Sequence, residues 1–323
     1  MAPEEEICID QAITRKSLYG PSEEPAYSGV LSFMRRKYTK DLTGVDVAIS
    51  GIPLDLMVSH RPGTRFGPEA VRKASAVLET VHPYAWDFDP FDRLAVIDYG
   101  DCYFDARKPD TIVNAIYEHA EKIIDAGVFM LTLGGDHFVS YPLIKAHAEK
   151  YGPLSLIHFD AHSDTWDYED EDANDHGNMF RRAHREGLVN SKKSVQVGIR
   201  TRNPDTYGYN ILHAPWVFKN GPEATVAEIK RIVGNNKAYL TFDIDCLDPA
   251  YAPGTGTPVM GGLTSYLVLE IIRGLTGINY AGMDIVEVSP AYDVGEITSL
   301  AAATIAADLL CVLAHDKGPL GAK

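Results

Sequence analysis

Short apolar runs alternate with longer amphipathic segments along most of the chain. The apolar runs are typical of strands buried on both faces, and they start near Val47, Leu94, Val128, Leu154, Ser194, Ala238 and Tyr280. Apolar residues at helical spacing lie near residues 68–81, 111–126, 138–151, 226–233, 265–275 and 298–314. This alternation predicts an α/β fold, a single three-layer domain with a mainly parallel central sheet flanked by helices.

The first 40 residues are the least regular part of the pattern. The chain has 323 residues, of which 45% are hydrophobic and 23% charged, and it contains no internal break. This length allows one large domain or two modest ones. We expect an N-terminal arm over residues 1–40, packed on the body or on a neighbour, and one domain over residues 41–323.

Three of the predicted strands end in residues that can bind metal ions. They are His137 in the motif GGDH, Asp160, His162 and Asp164 in DAHSD, and Asp243 and Asp245 in DID. Alternate side chains of an extended backbone share one face, so the residues of each motif should point the same way. Ligands of parallel sheets bind at the carboxyl ends of the strands. We therefore expect the three strand ends to meet at one crevice.

The residue types narrow the metal. Carboxylates with a minority of imidazole suit hard or borderline ions such as Mn²⁺, and the set exceeds the ligands of one tetrahedral Zn²⁺. Two ions sharing carboxylates would lie roughly 3.5–4 Å apart and generate hydroxide at neutral pH. Any one of these residues could instead only cap a helix or close a turn.

Other polar or reactive residues near these motifs have simpler interpretations. His158 lies inside a predicted strand, where we expect a hydrogen-bonded core histidine. The cysteines, Cys8, Cys102, Cys246 and Cys311, lack metal-binding spacing and are expected to be reduced thiols. The glycine-rich segment 254–258 lacks the lysine and spacing of a phosphate-binding loop, so we expect a turn near the metals.

Several long motifs resemble the ureohydrolase family, which includes arginase, agmatinase and their relatives. They are GGDH, DAHSD, DIDCLDPAYAPGTGTP and DIVEVSP, and the resemblance runs from about Gly51 to Leu310. Within the family, the stretches GGDHF, HFDAHSDT and AYDVGEITSLAAAT most resemble agmatinase. The resemblance implies an arginase-like fold and a ureohydrolase catalytic domain over residues 41–323.

The resemblance also implies a role for each site residue. One Mn²⁺ would be bound by His137, Asp160, Asp164 and Asp243, and a second by Asp160, His162, Asp243 and Asp245. His176 would shuttle protons, Glu287 would pair with the substrate guanidinium, and Thr257 would line the pocket. The implied reaction is hydrolysis of agmatine to putrescine and urea, in which a hydroxide bridging the two metals attacks the guanidinium carbon.

The substrate and the reaction leave alternatives. The acidic segment 167–175 joins DAHSD to His176 and should stand at the pocket rim, where it would favour a cationic substrate over a carboxylate-bearing one. It could instead be only a solvated, mobile loop. A guanidinobutyrase or guanidinopropionase would use the same chemistry. A zinc amine deacetylase of related fold and an inactive homologue are less favoured.

Charge and composition bear on partners and location. The formal net charge of −15 disfavours nucleic acid and would attract a small cationic guanidino substrate. We expect no membrane partner, because no stretch approaches about 18 apolar residues. The acidic N-terminus is unlike a targeting signal, so a cytoplasmic enzyme is expected, and family resemblance implies a homo-oligomer, either a trimer or a hexamer.

Overall fold

The computed structural model describes residues 10–22, 24–78 and 84–318. Its central sheet has nine strands in the order β1-β3-β2-β4-β9-β8-β5-β6-β7, and every neighbouring pair is parallel. The strands are β1 (Lys37–Tyr38), β2 (Val47–Gly51), β3 (Val96–Asp101), β4 (Phe129–Leu133), β5 (Ser155–Phe159), β6 (Val195–Val197), β7 (Asn210–Leu212), β8 (Ala238–Asp243) and β9 (Tyr280–Val286).

Eight α-helices accompany this sheet in the described residues. They are α1 (Gln11–Thr14), α2 (Gly67–Ser75), α3 (Ile112–Asp125), α4 (Ser140–Tyr151), α5 (Met179–Arg185), α6 (Ala214–Val233), α7 (Ser265–Gly274) and α8 (Ile297–Lys317). Helices α2, α6, α7 and α8 contribute to one hydrophobic core, and α3, α4 and α5 contribute to another.

The central strands separate these two cores. Leu131 and Leu133 of β4 belong to the first core, whereas Met130 between them belongs to the second. In β8, Leu240 and Tyr239 are divided in the same way. Since successive side chains of a strand point to opposite faces, the alternation identifies three layers. The predicted fold class, a single three-layer domain with a parallel sheet flanked by helices, is confirmed.

Several element boundaries differ from the prediction. Strands β1 and β7 and helices α1 and α5 were not predicted, because short elements carry little periodicity. Helix α6 begins at Ala214 instead of near residue 226, since Gly221 (φ 82°) and Pro222 interrupt its pattern with a kink. Residues 79–81 of the predicted helix 68–81, and Cys8, lie outside the described residues.

Helix α8 corrects the expectation that no segment is apolar enough to span a membrane. By length and composition alone it could do so, but 72% of its apolar window is buried inside the protein. Its Asp308 accepts hydrogen bonds from Trp86 Nε1 (2.8 Å) and Arg273 Nε (2.9 Å). This burial is that of a core helix.

Residues shortly before position 40 contact the body of the protein. The Phe33 amide donates to Asp98 Oδ2 at 2.8 Å, and the Met34 amide donates to Ser75 Oγ at 2.8 Å. Strand β1 then joins the edge of the sheet. The division into an arm over residues 1–40 and a domain over 41–323 stays a proposal.

Candidate active site

Four neighbouring strands at the centre of the sheet deliver the candidate residues. These strands lie side by side in the order β4, β9, β8 and β5. His137 follows β4, Glu287 follows β9, Asp243 ends β8 and Asp160 follows β5. All four strands run in the same direction, so their carboxyl ends form one edge. The expectation that the strand ends meet at one place is confirmed by this strand order.

The chain reaches this edge through turns, which corrects the expected extended backbone. Strand β5 ends at Phe159, and Asp164 adopts a left-handed conformation (φ 50°). The His162 amide donates to Asp160 Oδ1 at 2.6 Å, closing a tight turn. Asp243 and Asp245 are likewise joined by a turn, because Asp243 Oδ1 accepts from the Asp245 amide at 2.8 Å. The side chains converge because the backbone bends, and their two-residue spacing is not that of a strand.

The first cluster forms around His137. Its Nδ1 lies 3.1 Å from Asp160 Oδ2, 2.9 Å from Asp164 Oδ2 and 3.2 Å from Asp243 Oδ2. All four side chains are buried. Three carboxylate oxygens therefore lie within 3.2 Å of one imidazole nitrogen.

The second cluster forms around His162. Its Nδ1 lies 3.3 Å from Asp160 Oδ1 and 3.1 Å from Asp245 Oδ2. Asp160 thus directs one oxygen toward each cluster, which is the arrangement expected of a bridging carboxylate. Asp243 contacts the first cluster through its Oδ2, and its Oδ1 accepts a hydrogen bond from the Asp245 amide.

The residues of the two clusters fit metal ions. His137 Nδ1 is buried and makes no well-formed hydrogen bond within the described part of the chain, although three carboxylate oxygens lie within 3.2 Å. Burial, together with the neighbouring Asp160 carboxylate, raises the pKa of Asp164 to about 7. A cation between these groups would use the imidazole lone pair and offset the carboxylate repulsion.

Polar residues inside the strands support these ligands. Thr241 Oγ1 lies 2.8 Å from His137 Nε2, the nitrogen facing away from the cluster. His158, within a group of four that could hold a metal, contacts Asp160 Oδ2 at 2.7 Å through Nε2 and Gln196 Nε2 at 3.0 Å through Nδ1. Both ring nitrogens of His158 are engaged, which fits a core histidine. Thr241 and Gln196 were missed, and their only signal was a polar residue in an apolar run.

Glu287 and His176 form a pair beside the clusters. Glu287 Oε1 accepts from the His137 amide at 2.8 Å and lies 2.9 Å from His176 Nδ1. Its Oε2 is buried and has no hydrogen-bond partner among the described residues. The backbone of Glu287 is left-handed (φ 65°), a conformation that costs free energy in a residue other than glycine. One oxygen is thus held in place, and the other has unused hydrogen-bonding capacity.

His176 has a partner for either protonation state. Its Nε2 lies 3.0 Å from the Ser59 amide, which donates to it when the ring is neutral, and 2.8 Å from Ser59 Oγ, which can accept from it when the ring is charged. Burial lowers the pKa of His176, but Glu287 outweighs burial and raises it to about 9. Ser59 was not predicted, because it lies far from His176 in sequence.

A polar pocket opens onto His176 and onto part of both clusters. Its volume is about 120 Å³, and it is lined by Ser59, His162, Asp164, Trp166, Tyr168, Asp175, His176, Gly177, Asp243 and Thr257. A larger apolar groove of about 420 Å³ lies between α7, α8 and the loop after β8. No histidine or acidic residue of the described chain lines that groove, so the smaller pocket is the candidate active site.

The structure narrows the interpretation of the acidic loop 167–175. Arg181 Nη2 lies 2.8 Å from Asp167 Oδ1 and 3.0 Å from Glu171 Oε1. Arg185 pairs with Glu171 (3.0 Å) and with Asp172. Three of the acidic side chains therefore face the arginines of α5, so the loop is neither wholly a charged rim nor wholly solvated.

Asp175 differs from these three acidic residues. It lines the pocket, and its Oδ1 accepts from the Gly177 amide (2.7 Å) and from Tyr168 Oη (3.1 Å). Burial and Asp175 raise the pKa of Tyr168 to about 12, so its phenol is neutral. In the described residues, Asp175 is the one pocket carboxylate outside the predicted ligand set.

The remaining predicted features lie close by. Thr257 lines the pocket and its Oγ1 lies 3.3 Å from Asp245 Oδ2. The segment 254–258 runs beside the end of β9, where the Ser289 amide donates to the Gly254 carbonyl at 2.7 Å. Cys102, Cys246 and Cys311 are free and buried, and burial raises the pKa of Cys246 well above its usual range. This favours packing over nucleophilic chemistry.

Known proteins of similar sequence support the assignment of an active site. The sequence profile of the arginase family matches residues 45–311. An agmatinase of Chromobacterium violaceum is 60% identical over 315 residues, covering 97% of this chain and 98% of that protein.

Two solved structures are also similar. A hypothetical agmatinase from Burkholderia thailandensis is 60% identical with a TM-score of 0.94, covering 96% of this chain and 98% of its own. Proclavaminate amidino hydrolase from Streptomyces clavuligerus is 36% identical with a TM-score of 0.85, covering 91% of this chain and 100% of its own. Family profile, relatives and fold agree, and the chain therefore belongs to the arginase family and is a ureohydrolase enzyme.

Proposed function

We propose that this ureohydrolase hydrolyses agmatine to putrescine and urea with two Mn²⁺ ions per subunit. The observation that carries the proposal is the pocket, whose described lining includes the carboxylates of Asp164, Asp175 and Asp243 and no lysine or arginine. A guanidinium with a cationic tail complements such a lining. The 60% identity to an agmatinase supports the same substrate.

The proposed ligands divide into two sets that share two carboxylates. His137, Asp160, Asp164 and Asp243 would bind one ion, and Asp160, His162, Asp243 and Asp245 the other. The contacts around His137 and His162 support this division. When bound, the ions would supply Lewis-acid chemistry and a nucleophile at neutral pH. The dominance of carboxylate oxygen over imidazole favours Mn²⁺.

Glu287 and His176 would act on the substrate itself. The unpartnered Oε2 of Glu287 would accept from the guanidinium in a charge-assisted hydrogen bond. Its Oε1 is already occupied by His137 and His176, so the contact would use one carboxylate oxygen only. His176 would hold and release the proton that the departing amine needs, because Ser59 can serve both of its protonation states.

Asp175 would select the tail of the substrate. A carboxylate favours an ammonium and disfavours the carboxylate tails of 4-guanidinobutyrate and 3-guanidinopropionate through like-charge repulsion. The loop acids paired with α5 contribute less, because Arg181 and Arg185 offset their charge. The selection would therefore depend on one residue more than on the loop as a whole.

The test is urea release by the Mn²⁺-loaded enzyme from four substrates: agmatine, 4-guanidinobutyrate, 3-guanidinopropionate and arginine. We expect agmatine to give the highest kcat/KM by about tenfold or more, the effect of one charge contrast worth about 1.4 kcal/mol. Preference for a carboxylate-bearing substrate would keep the ureohydrolase and reject agmatine. Amine deacetylation with one zinc per chain would reject the two-metal reaction.

Assembly and location are part of the proposal. We infer a homo-oligomer, a trimer or a hexamer, and a cytoplasmic enzyme of polyamine biosynthesis, because putrescine is the proposed product. The family membership supports both inferences, and light scattering at micromolar protein concentration would test the assembly.

A further inference from the structure

The carboxylate of Asp160 is fixed through both of its oxygens. Oδ1 accepts from the His162 amide at 2.6 Å, and Oδ2 lies 2.7 Å from His158 Nε2. The same two oxygens point to His162 and His137, one toward each cluster. Each oxygen therefore has one contact to an N–H position and one lone pair directed at a cluster, provided that His158 Nε2 carries a hydrogen.

The neighbouring strand decides which nitrogen of His158 carries the hydrogen. Strands β5 and β6 are parallel, and their register sets Gln196 directly beside His158. Gln196 Nε2 lies 2.6 Å from the Ser163 carbonyl oxygen and 3.0 Å from His158 Nδ1. Ser163 is buried, and Gln196 and His158 are fully shielded from solvent.

The Ser163 carbonyl fixes the orientation of the Gln196 amide. A carbonyl oxygen can only accept, so the amide atom facing it must be the NH₂ group. The same nitrogen then donates its second hydrogen to His158 Nδ1, which must present a lone pair. The hydrogen of the neutral ring is thereby assigned to Nε2, which donates to Asp160 Oδ2.

We propose that Gln196 and His158 are positioning residues that hold the bridging carboxylate of Asp160 in its metal-binding orientation. The inference rests on the proposed two-metal site. Asp243, the other proposed bridging residue, has no such chain behind it: its Oδ1 accepts from the Asp245 amide alone among the described residues. Asp160 is therefore the bridging residue that is oriented before metal binding. Loss of the His158 donor should weaken the binding of both ions.

The experiment measures Mn²⁺ binding to the metal-stripped enzyme by calorimetric titration. His158→Phe keeps a ring of similar volume and removes the donor, and His158→Gln returns an N–H near the Nε2 position. We expect His158→Phe to weaken Mn²⁺ binding by about tenfold or more, in the range typical of residues behind metal ligands. His158→Gln should recover most of that loss.

His147→Phe is the matched control. His147 is as buried as His158 and contacts the Leu143 carbonyl (2.7 Å) and Tyr239. The His147→Phe substitution should lower the stability of the metal-free protein without changing its Mn²⁺ affinity. Gln196→Met, which removes the amide while keeping the length of the side chain, should reproduce part of the His158→Phe loss.

Three results would overturn the proposal. They are unchanged Mn²⁺ affinity in His158→Phe, equal losses in His158→Phe and His147→Phe, or no recovery in a folded His158→Gln protein. These outcomes are distinct from failure of the proposed substrate. A wild-type enzyme that binds two Mn²⁺ ions but releases no urea from agmatine would reject agmatine while the affinity comparison stood.

Discussion

Asp175 and Asp172 belong to the same acidic loop, yet their carboxylates have different surroundings. Asp175 lines the pocket and bonds to Tyr168, whereas Asp172 pairs with Arg185 on α5. Asp172 follows Glu171 and Asp175 follows Asn174, but neither context predicts which way the carboxylate points. The difference at the scale of single residues is which way each side chain points, and it separates a pocket residue, proposed to select the substrate, from a residue that pairs with α5.

Replacing Asp175 with asparagine tests this distinction. Asp175→Asn keeps the shape of the side chain and removes its charge, so kcat/KM for agmatine should fall about tenfold, as expected for a half-buried charge pair worth about 1–2 kcal/mol. Butylguanidine, whose tail is neutral, should be hydrolysed at the wild-type rate. Steady-state urea release measures both.

Asp172→Asn is the control in the same loop. It removes the same charge at a position that faces α5, so agmatine kinetics should stay within about twofold of wild type. Equal effects of the two substitutions would mean that the loop acts through its total charge, and Asp175 would lose its assigned role.

Connecting segments, more than the strands, set the shape of the site at the scale of elements. The guanidinium of Arg200, in the segment after β6, donates to the carbonyls of Gly198, Asp245, Cys246, Leu247 and Val259. The bond to the Asp245 carbonyl is 2.6 Å long. One side chain therefore ties the turn that carries Asp245 to the glycine-rich segment that carries Thr257.

A lysine in place of Arg200 cannot maintain these bonds. Its single ammonium lacks the planar fork of the guanidinium, so several buried carbonyls would lose their donor. We expect Arg200→Lys to lower the free energy of unfolding by about 2–4 kcal/mol, measured by urea denaturation of the metal-free protein. Arg231→Lys is the control, since Arg231 is largely exposed and pairs with Glu228 on α6; it should change stability by less than about 0.5 kcal/mol.

Arg200→Lys with wild-type stability would mean that water or neighbouring donors can replace the guanidinium. The turn holding Asp245 would then be rigid without this anchor. Such a result would shift the explanation to the turn itself, which is closed by the bond from the Asp245 amide to Asp243.

For the whole molecule, the half-buried His119 and the buried His147 link stability to pH. Burial lowers the pKa of both His119 and His147 to about 4, well below the value of about 6.5 in an unfolded chain. As pH falls below 6.5 the unfolded state binds protons before the folded state does. The contribution of these two histidines to stability is therefore complete above about pH 6.5 and decreases until pH 4, by about 3 kcal/mol for each histidine.

His119→Gln isolates one of these contributions. His119 Nε2 lies 2.7 Å from Ser50 Oγ, a contact that glutamine can also make. Between pH 7 and pH 5 the loss of stability should be smaller in His119→Gln than in wild type by about 2 kcal/mol, from urea denaturation in the presence of EDTA. The same substitution at the exposed His315 is the control. A pH dependence equal to that of wild type in His119→Gln would exclude His119 as a source.

Local chemistry made much of the site predictable. His137, Asp160, His162, Asp164, Asp243 and Asp245 could be named because each follows an apolar run, and long motifs identified the family. The fold class followed from alternating strands and helices. These features depend on residues close together in sequence, where periodicity and residue type carry the information.

Other features depend on contacts between distant segments. Ser59 lies beside His176, and Gln196 lies beside His158 only because β5 and β6 are adjacent in a particular register. No local pattern specifies a register or a strand order, since these are decided by the packing of all strands and helices together.

The sequence by itself determined the candidate ligands, the fold class and the family, because each depends on short stretches of chain. Only the tertiary structure decided that β4, β9, β8 and β5 are neighbours, that Asp160 is held through both oxygens, and that Asp175 alone among the described acids of its loop lines the pocket. The physical reason is that hydrogen bonds and charge pairs act over a few ångströms in space, and the folded chain chooses which groups come that close.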